Sequence, residues 1–265
     1  MDARPGIVTL TTDFGLVGPY VAAMKGILLG RVPGVRLVDV CHSISPQNVL
    51  EGAFVLAAIV DAFPAGTVHL AVVDPGVGTE RSLIAAALAD QWFVLPDNGL
   101  ITGAALGRSP AGIWEITNPA IARPSVAPTF HGRDILAPAA AHLLTGRDPA
   151  ELGPVRTGFI TLRDFEPAVN PNGFVGEVLF RDAFGNLITN VAASQLAATP
   201  AQDWVVEVAG SRIDGLNRTY GDSYAGTLVA LIGSSGWLEI AVVNGDASQR
   251  LSVGPGASVC LRRKT

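Results

Sequence analysis

The sequence predicts an α/β protein: an N-terminal parallel-sheet α/β/α domain over residues 1–165, followed by a smaller antiparallel β-barrel domain over residues 172–265. Three observations carry that expectation. The first part alternates short β-branched runs with helical stretches in the order β-α-β-α-β, which calls for crossover connections and a parallel sheet. The last part strings strand-length runs together with almost no helical pattern, as a small antiparallel barrel or sandwich does. Between them, Gly153 to Gly173 lacks periodicity and carries Pro154, Pro167 and Pro171, the profile of a domain boundary.

Taken in order, Ile7 to Thr11 is apolar and β-branched, a buried strand that ends in Thr12-Asp13-Phe14-Gly15. Gly18-Pro19 opens a helix with Tyr20, Val21, Met24, Ile27 and Leu28 on one side, and Pro33-Gly34 stops it. Val35 to Cys41 is the second strand, and a helix then runs from Pro46 through Ala62 to close at Pro64 and Gly66. Val68 to Asp74 is the third strand. Ser82 to Leu88 and Trp92 to Leu95 are two more, joined by a tight connection, and Pro96-Asp97-Asn98-Gly99 turns into a short helix. After a strand at Ile113 to Ile116, Pro119, Pro124 and Pro128 keep the chain extended; Asp134 to Leu144 is helical and ends at Gly146. The second domain offers strands at Phe174 to Phe180, Leu187 to Val191, Trp204 to Ala209, Thr227 to Ile232, Trp237 to Val243 and Ser258 to Arg262.

Composition excludes several classes. The 265 residues are 49% hydrophobic and 15% charged, so the chain can bury a sizeable core and does not read as disordered. Its 18 basic and 23 acidic residues give a net charge of -5 with no run of Lys or Arg, which argues against nucleic acid as a partner. Cys41 and Cys260 have neither CxxC nor zinc spacing, so two free, buried thiols in a reducing compartment are expected. No charged and apolar leader pattern precedes the first strand, and the longest uncharged apolar run, Gly52 to Val60, is too short for a bilayer. The expectation is a cytoplasmic protein without membrane association.

The chemistry centres on AVVDPGVGTER, Ala71 to Arg81, where an apolar strand delivers an acid, a glycine-rich turn and then an arginine. Asp13, Asp39 and Asp74 fall at or near the ends of consecutive parallel strands, which share the sheet edge where ligands of open α/β sheets sit. The plainer role of Asp13 and Asp74 is turn and cap chemistry, and Asp39, inside an apolar run, is expected to be buried with a partner. Gly76-Val77-Gly78 is a weak nucleotide signal: no helix follows it, and with Lys25 and Lys264 the only lysines there is no Walker lysine. The glycines either let backbone approach a small ligand or simply make the turn. His131, between Phe130 and Gly132-Arg133-Asp134, is a cap or packing residue, or a group that orients water or substrate. His42, His69, His131 and His142 show no metal-ligand spacing, and neither a metal nor another cofactor is expected. In the barrel, Asp182 to Asn186 and Gly233 to Trp237 are hairpin turns first, although a ring against Phe184 or Trp237 with amides at its edge also suits a purine nucleoside. Asn244-Gly245-Asp246-Ala247 is likewise a hairpin turn first and a ligand contact second.

TTDFG at 11–15, VDVCHSISPQN at 38–48, VDPGVGTER at 73–81, PDNGL at 96–100, TFHGRDI at 129–135, FGNLITN at 184–190 and SSGWLEIAV at 234–242, in that order, resemble one family. It is the S-adenosylmethionine hydroxide adenosyltransferases, also called adenosine-forming S-adenosylmethionine hydrolases, relatives of the fluorinating and chlorinating enzymes. The resemblance implies SN2 attack of water or hydroxide on C5′ of S-adenosyl-L-methionine, giving adenosine and L-methionine. It implies that Asp74, Arg81 and His131 hold and polarise the nucleophile and that Asp13 holds the ribose hydroxyls. Phe184 and Asn186 would hold the adenine, and Asp182 and Ser234 the methionine part. Family members are homotrimers with inter-subunit active sites. In halide-using relatives other residues stand in place of Asp74 and His131, and the fluorinating branch carries an insertion where Asp90-Gln91 stands here; Gly18 and Tyr20 replace polar groups that some relatives place near the methionine. The competing expectations are a halide-dependent, chlorinase-like adenosyl transferase and a non-catalytic nucleoside-binding module, with a metal-dependent hydrolase a more distant one. Whether Asp74 or His131 is the base stays open at this point.

Overall fold

β-branched Val8, Thr9, Thr11 and Thr12 favour an extended chain, and Ile7–Thr12 (β1) is a strand buried along almost its whole length. The computed structural model describes residues 6–264. The reading of the N-terminus as leaderless falls in part on residues 1–5, which lie outside the described residues. The chain divides into two compact units, one ending at Leu162 and the other beginning at Arg163.

In the first unit β1 is followed by Tyr20–Arg31 (α1), Arg36–Cys41 (β2), Val49–Ile59 (α2), Val68–Val72 (β3), Leu83–Leu88 (β4), Gln91–Pro96 (β5), Thr102–Ala105 (α3), Gly112–Glu115 (β6) and Ala137–Leu144 (α4). The six-stranded sheet has the order β2-β1-β3-β5-β4-β6. β2, β1, β3 and β5 run parallel, whereas β4 is antiparallel to both β5 and β6, so the sheet is mixed rather than wholly parallel. The reason lies in the β4–β5 link. Ala89 and Asp90 both take positive φ, 52° and 58°, the two-residue turn whose twist matches a hairpin.

Alternation along the strands feeds two cores. Val8, Leu10, Leu70 and Val72 meet Met24 and Leu28 of α1 and Ala139 and Ala140 of α4. Ala71, Val73, Ile84 and Phe93 face the other way, toward Leu56 of α2 and Leu100 and Ala104 near α3. Helices therefore cover both faces, the α/β/α arrangement expected. Each fully buried Leu or Phe adds about 1.5–3 kcal/mol by leaving water. α2 starts at Val49 rather than Pro46 because Asn48 caps it: the Asn48 side chain accepts from Glu51 N (3.1 Å), and Glu51 Oε2 takes Asn48 Nδ2 (3.2 Å) and Ser45 N (3.1 Å).

The second unit contains Ala168–Asn170 (β7), Gly173–Arg181 (β8), Leu187–Ala192 (β9), Ala193–Leu196 (α5), Trp204–Val208 (β10), Ser211–Asp214 (β11), Leu228–Ile232 (β12), Trp237–Val242 (β13), Ala247–Leu251 (α6) and Ser258–Arg263 (β14). Every strand pairing is antiparallel, in the order β11-β10-β14-β8-β9-β13-β12, with β7 on β8. A bridge between Asn217, beyond β11, and Leu231 of β12 brings the two ends together into a nearly closed barrel. Its interior is filled by Val178, Leu187, Trp204, Val206, Ile240 and Leu261.

Three expectations change here. β11 follows another two-residue turn, Ala209 and Gly210 at φ 49° and 72°, but its alternating Ser, Arg and Asp are too polar and too few to read as a strand. Asn244 to Ala247 is not a hairpin turn: Asp246 caps α6 by accepting from Gln249 N (2.8 Å), and the strand that follows pairs with β8 and β10. Cys41 and Cys260 are free but partly exposed rather than buried. Among the described residues no helix is long and apolar enough to cross a membrane.

Candidate active site

Asp74 sits two residues past β3, where the strand's hydrogen bonds have ended and a side chain is free to face the sheet edge. The turn after it brings Arg81 back onto that carboxylate. Arg81 Nε donates to Asp74 Oδ1 (2.8 Å) and Oδ2 (3.0 Å), and Nη2 donates to Oδ2 (2.5 Å). Both side chains are nearly out of solvent, 11% exposed for Arg81 and 5% for Asp74, so this fork holds a desolvated charge pair in one geometry. Nη2 also lies 2.9 Å from His131 Nδ1.

A guanidinium only donates, so Nδ1 of His131 is the acceptor and the ring proton sits on Nε2. The electrostatics agree. Burial lowers the pKa of His131 below its ordinary value and Arg81 lowers it further, against the opposing pull of Asp74 and Asp134. The neutral imidazole is thereby aimed, with its Nε2–H as a donor.

Two devices bring His131 to Arg81. Gly78 has φ +79°, and a Cβ on it would lie 2.7 Å from the carbonyl oxygen of Pro128. The turn glycine thus makes room for the protein's own backbone three residues ahead of His131, rather than for a small ligand. The second is Asp134, wholly buried: its oxygens accept from Arg133 Nε (2.7 Å) and Nη2 (2.8 Å), Arg123 Nη1 (2.8 Å) and Ala127 N (2.9 Å). The bound Arg133 foremost holds its carboxyl well below the usual range against the cost of burial, with Ala127 and Arg123 adding to it. The helix begins earlier than expected, as a π-helical turn at Gly132–Leu136 that runs into α4. Asn98 steadies the other side, donating Nδ2 to Val73 O (2.9 Å) just before Asp74.

Asp13 stands on the same edge, one residue past β1, and accepts from Gln47 N at 2.8 Å. Asp39 does not join it. β2 is the edge strand, and Asp39 is 46% exposed rather than buried, paired with Lys25 Nζ (2.6 Å) and His42 Nε2 (2.9 Å). Nearby, Phe14, Tyr20 and Phe130 form an aromatic cluster with centroids 5.5–5.8 Å apart. Among the described residues no group of His, Cys, Asp and Glu is placed to hold a metal ion.

The second unit brings the other candidates together. Asp182, Phe184, Asn186 and Ser234 all line one cavity of about 640 Å³, together with Tyr220 and Glu239. Asp182 organises the turn: Oδ1 accepts from Phe184 N (2.9 Å) and Asn186 N (2.8 Å), and Oδ2 from Asn186 Nδ2 (2.9 Å). With one of its two N–H groups on Asp182, Asn186 keeps its carbonyl oxygen and a second N–H for a ligand. Phe184 is 79% exposed and has no aromatic partner among the described residues, whereas Trp237 is buried and packs edge-on against Phe165 at 5.5 Å. Of the two aromatics considered for stacking, Phe184 is the one available. Tyr220 and Glu239 were not legible as a pair: the phenol donates to Glu239 Oε2 at 2.5 Å, and burial and that carboxylate raise its pKa.

The comparisons with known proteins bear on the whole chain. The family models for the SAM hydroxide adenosyltransferase N-terminal and C-terminal domains match residues 8–153 and 176–260. The chain belongs to the S-adenosylmethionine hydroxide adenosyltransferase family. It is 42% identical to the (R)-S-adenosyl-L-methionine hydrolase of Thermus thermophilus, over 96% of this chain and 98% of that one. It is also 42% identical to the enzyme of the same name from Salinispora tropica, over 94% and 95%. A solved structure of an uncharacterized conserved protein from Thermotoga maritima superposes with a TM-score of 0.89 at 38% identity, covering 97% of this chain and 100% of that one. In this member of the hydroxide adenosyltransferase family, the first unit supplies a preorganised Asp-Arg-His array with an N–H donor and a carboxylate at a sheet edge. The second supplies an aromatic platform ringed by amide, hydroxyl and carboxylate groups.

Proposed function

We propose that the protein hydrolyses S-adenosyl-L-methionine to adenosine and L-methionine by in-line attack of a water-derived oxygen on C5′. The observation that carries this reading is the Arg81 guanidinium, which binds the Asp74 carboxylate and the His131 Nδ1 at once. Attack at C5′ forms a C–O bond and breaks the C–S bond, whose electron pair stays on sulfur. A sulfonium leaves as a neutral thioether, so no acid is needed and the demand falls on the nucleophile. Water is a weak one; a positioned base contributes about 10²–10⁴-fold, and alignment with the C–S bond up to about 7–11 kcal/mol.

The hydrogen-bond polarity supports these roles. His131 Nε2–H donates a hydrogen bond to the attacking water and keeps its own proton, while the water's proton passes to the Asp74 carboxylate and then to solvent as the C–O bond forms. Arg81 fixes both partners and stabilises the developing hydroxide. Asp13 holds the ribose hydroxyls, Phe184 stacks on the adenine with Asn186 at its edge, and Asp182 and Ser234 take the methionine part. The working protein in this reading is a cytoplasmic homotrimer that uses no cofactor.

Chromatography of purified protein incubated with S-adenosyl-L-methionine, with and without added chloride, tests it. Adenosine and methionine in equal amounts, independent of chloride and absent with Asp74→Ala, are expected. A chloride-dependent 5′-chloro nucleoside, or no adenosine at all, overturns the proposal.

A further inference from the structure

The segment that follows β2 is tied to the end of β1 and the turn after it by three hydrogen bonds. His42 Nδ1 lies 2.9 Å from Thr12 Oγ1, Gly15 N donates to His42 O at 2.7 Å, and Gln47 N donates to Asp13 Oδ2 at 2.8 Å. Thr12 is wholly buried and His42 nearly so. On its other side His42 Nε2 meets Asp39 Oδ1 at 2.9 Å, whose second oxygen takes Lys25 Nζ at 2.6 Å. A carboxylate accepts, so Nε2 carries the proton, and in the neutral ring Nδ1 accepts the Thr12 hydroxyl. Thr12 Oγ1 in turn accepts from Phe14 N at 3.3 Å. The bonds run one way, from the Phe14 amide through Thr12 and His42 to Asp39, and they bracket Asp13 from both sides.

Gln47 adds a second observation. It has a positive φ of 66°, a left-handed conformation that a residue with a side chain keeps only when its surroundings over-determine it. Its amide is what engages Asp13. That bond occupies Oδ2, and among the described residues no protein donor reaches Oδ1.

The geometry points to His42 as a positioning residue for Asp13, holding the turn through Thr12 so that Asp13 Oδ1 faces the vicinal hydroxyls of a ribose. The inference rests on the reading of Asp13 as the ribose-binding group under the proposed function. His42 touches no substrate. It acts by keeping the Thr12–Gly15 turn in register with Gln47.

Calorimetric titration of adenosine and 2′-deoxyadenosine tests it without requiring turnover. Wild-type protein is expected to prefer adenosine. His42→Gln places an amide near the old Nε2, keeps Asp39 and loses Thr12; it should lower the adenosine preference about tenfold, the worth of one positioned hydrogen bond. His42→Asn places its amide near the old Nδ1 and should restore the preference. In an Asp13→Asn background, His42→Gln should do nothing further. Should His42→Gln fail to fold, Thr12→Val breaks the same link and carries the same expectation, with Thr12→Ser as its control. Equal losses for both nucleosides, or an effect that adds in full to Asp13→Asn, overturn the inference. Wild-type protein that binds the two nucleosides alike removes the role of Asp13 and that of His42 with it. Wild-type protein that prefers adenosine yet never forms it from S-adenosyl-L-methionine defeats the proposed hydrolysis alone.

Discussion

Replacing Arg81 by lysine separates charge from geometry at the candidate active site. Arginine makes three contacts to Asp74 and one to His131 from two nitrogens held in one plane. A lysine ammonium keeps the positive charge beside a carboxylate that is only 5% exposed, so the fold should survive. One nitrogen cannot hold Asp74 in a fork and His131 Nδ1 as well. Each charge-assisted bond of this kind is worth about 1.5–3 kcal/mol, and loss of one preorganised donor in a transition state costs about 10²–10³ in kcat. Arg81→Lys should therefore lower kcat at least about a hundredfold and leave KM near the wild-type value, because the residues proposed to bind the substrate are untouched. The assay is adenosine formation across a range of S-adenosyl-L-methionine concentrations, with a thermal melt to show that the variant is folded. Arg81→Met gives the contrast: it strands a buried carboxylate and should destabilise the protein by about 3–5 kcal/mol. Retention of more than half the wild-type kcat by Arg81→Lys, or a loss confined to KM, would refute the assignment.

Four further outcomes are expected. Protonation of His131 turns its Nδ1 from an acceptor into a donor facing Arg81, and burial and Arg81 lower its pKa; the acid limb of the kcat profile should fall below pH 6.5, and a midpoint above that value contradicts the tautomer assigned. Gly78→Ala forces a side chain into a left-handed turn and against Pro128 O, so it should cost about 1–3 kcal/mol in urea unfolding and lower kcat by shifting the loop that carries His131; an unchanged melt and kcat count against it. Phe184→Ala removes an exposed ring, so unfolding should change by less than about 0.5 kcal/mol while KM rises about 5- to 150-fold, the equivalent of the about 1–3 kcal/mol of a base–aromatic stack. His69, enclosed by Thr9 (2.8 Å), Gln91 (2.8 Å) and a stacked Phe93, has its pKa lowered to about 4, chiefly by burial. The unfolded chain then binds the extra proton first, so stability present above about pH 6.5 is lost as the pH falls toward about 4, by about 3 kcal/mol in all; His69→Gln should flatten that part of the urea-unfolding profile.

Most of the fold was legible because local pattern and tertiary demand coincide in it. β1, β3 and α1 announce themselves by β-branching, by continuous burial and by the Met24 and Leu28 spacing. What pattern alone does not reveal is a strand's place in the sheet. β2 has the apolar look of a central strand and sits at the edge, which is why Asp39 is exposed when its neighbours in sequence suggested burial. The barrel shows the converse. β11 owes its existence to a two-residue turn and a ladder of backbone bonds to β10, neither of which needs the apolar alternation by which strands are read.

The site divides along the same line. Asp74 and Arg81 are seven residues apart on a turn, and an acid, glycines and a cation at that spacing suffice to suggest that they meet. His131 is fifty residues further on, and its arrival depends on contacts with no local signature: a carbonyl from Pro128 lodged where Gly78 lacks a Cβ, and a buried Asp134 neutralised by Arg123 and Arg133. Those contacts also decide which hydrogen-bonding face the imidazole presents. If the loop had brought the imidazole to the Asp74 carboxylate, the ring would carry its proton on the nitrogen facing it and present a lone pair to solvent, as a base. Because it meets the guanidinium instead, it presents a proton, and in the proposed reaction the carboxylate is left to accept one. Under the proposed function, the division of labour between Asp74 and His131, open in the sequence, is thus a consequence of Arg81 standing between them.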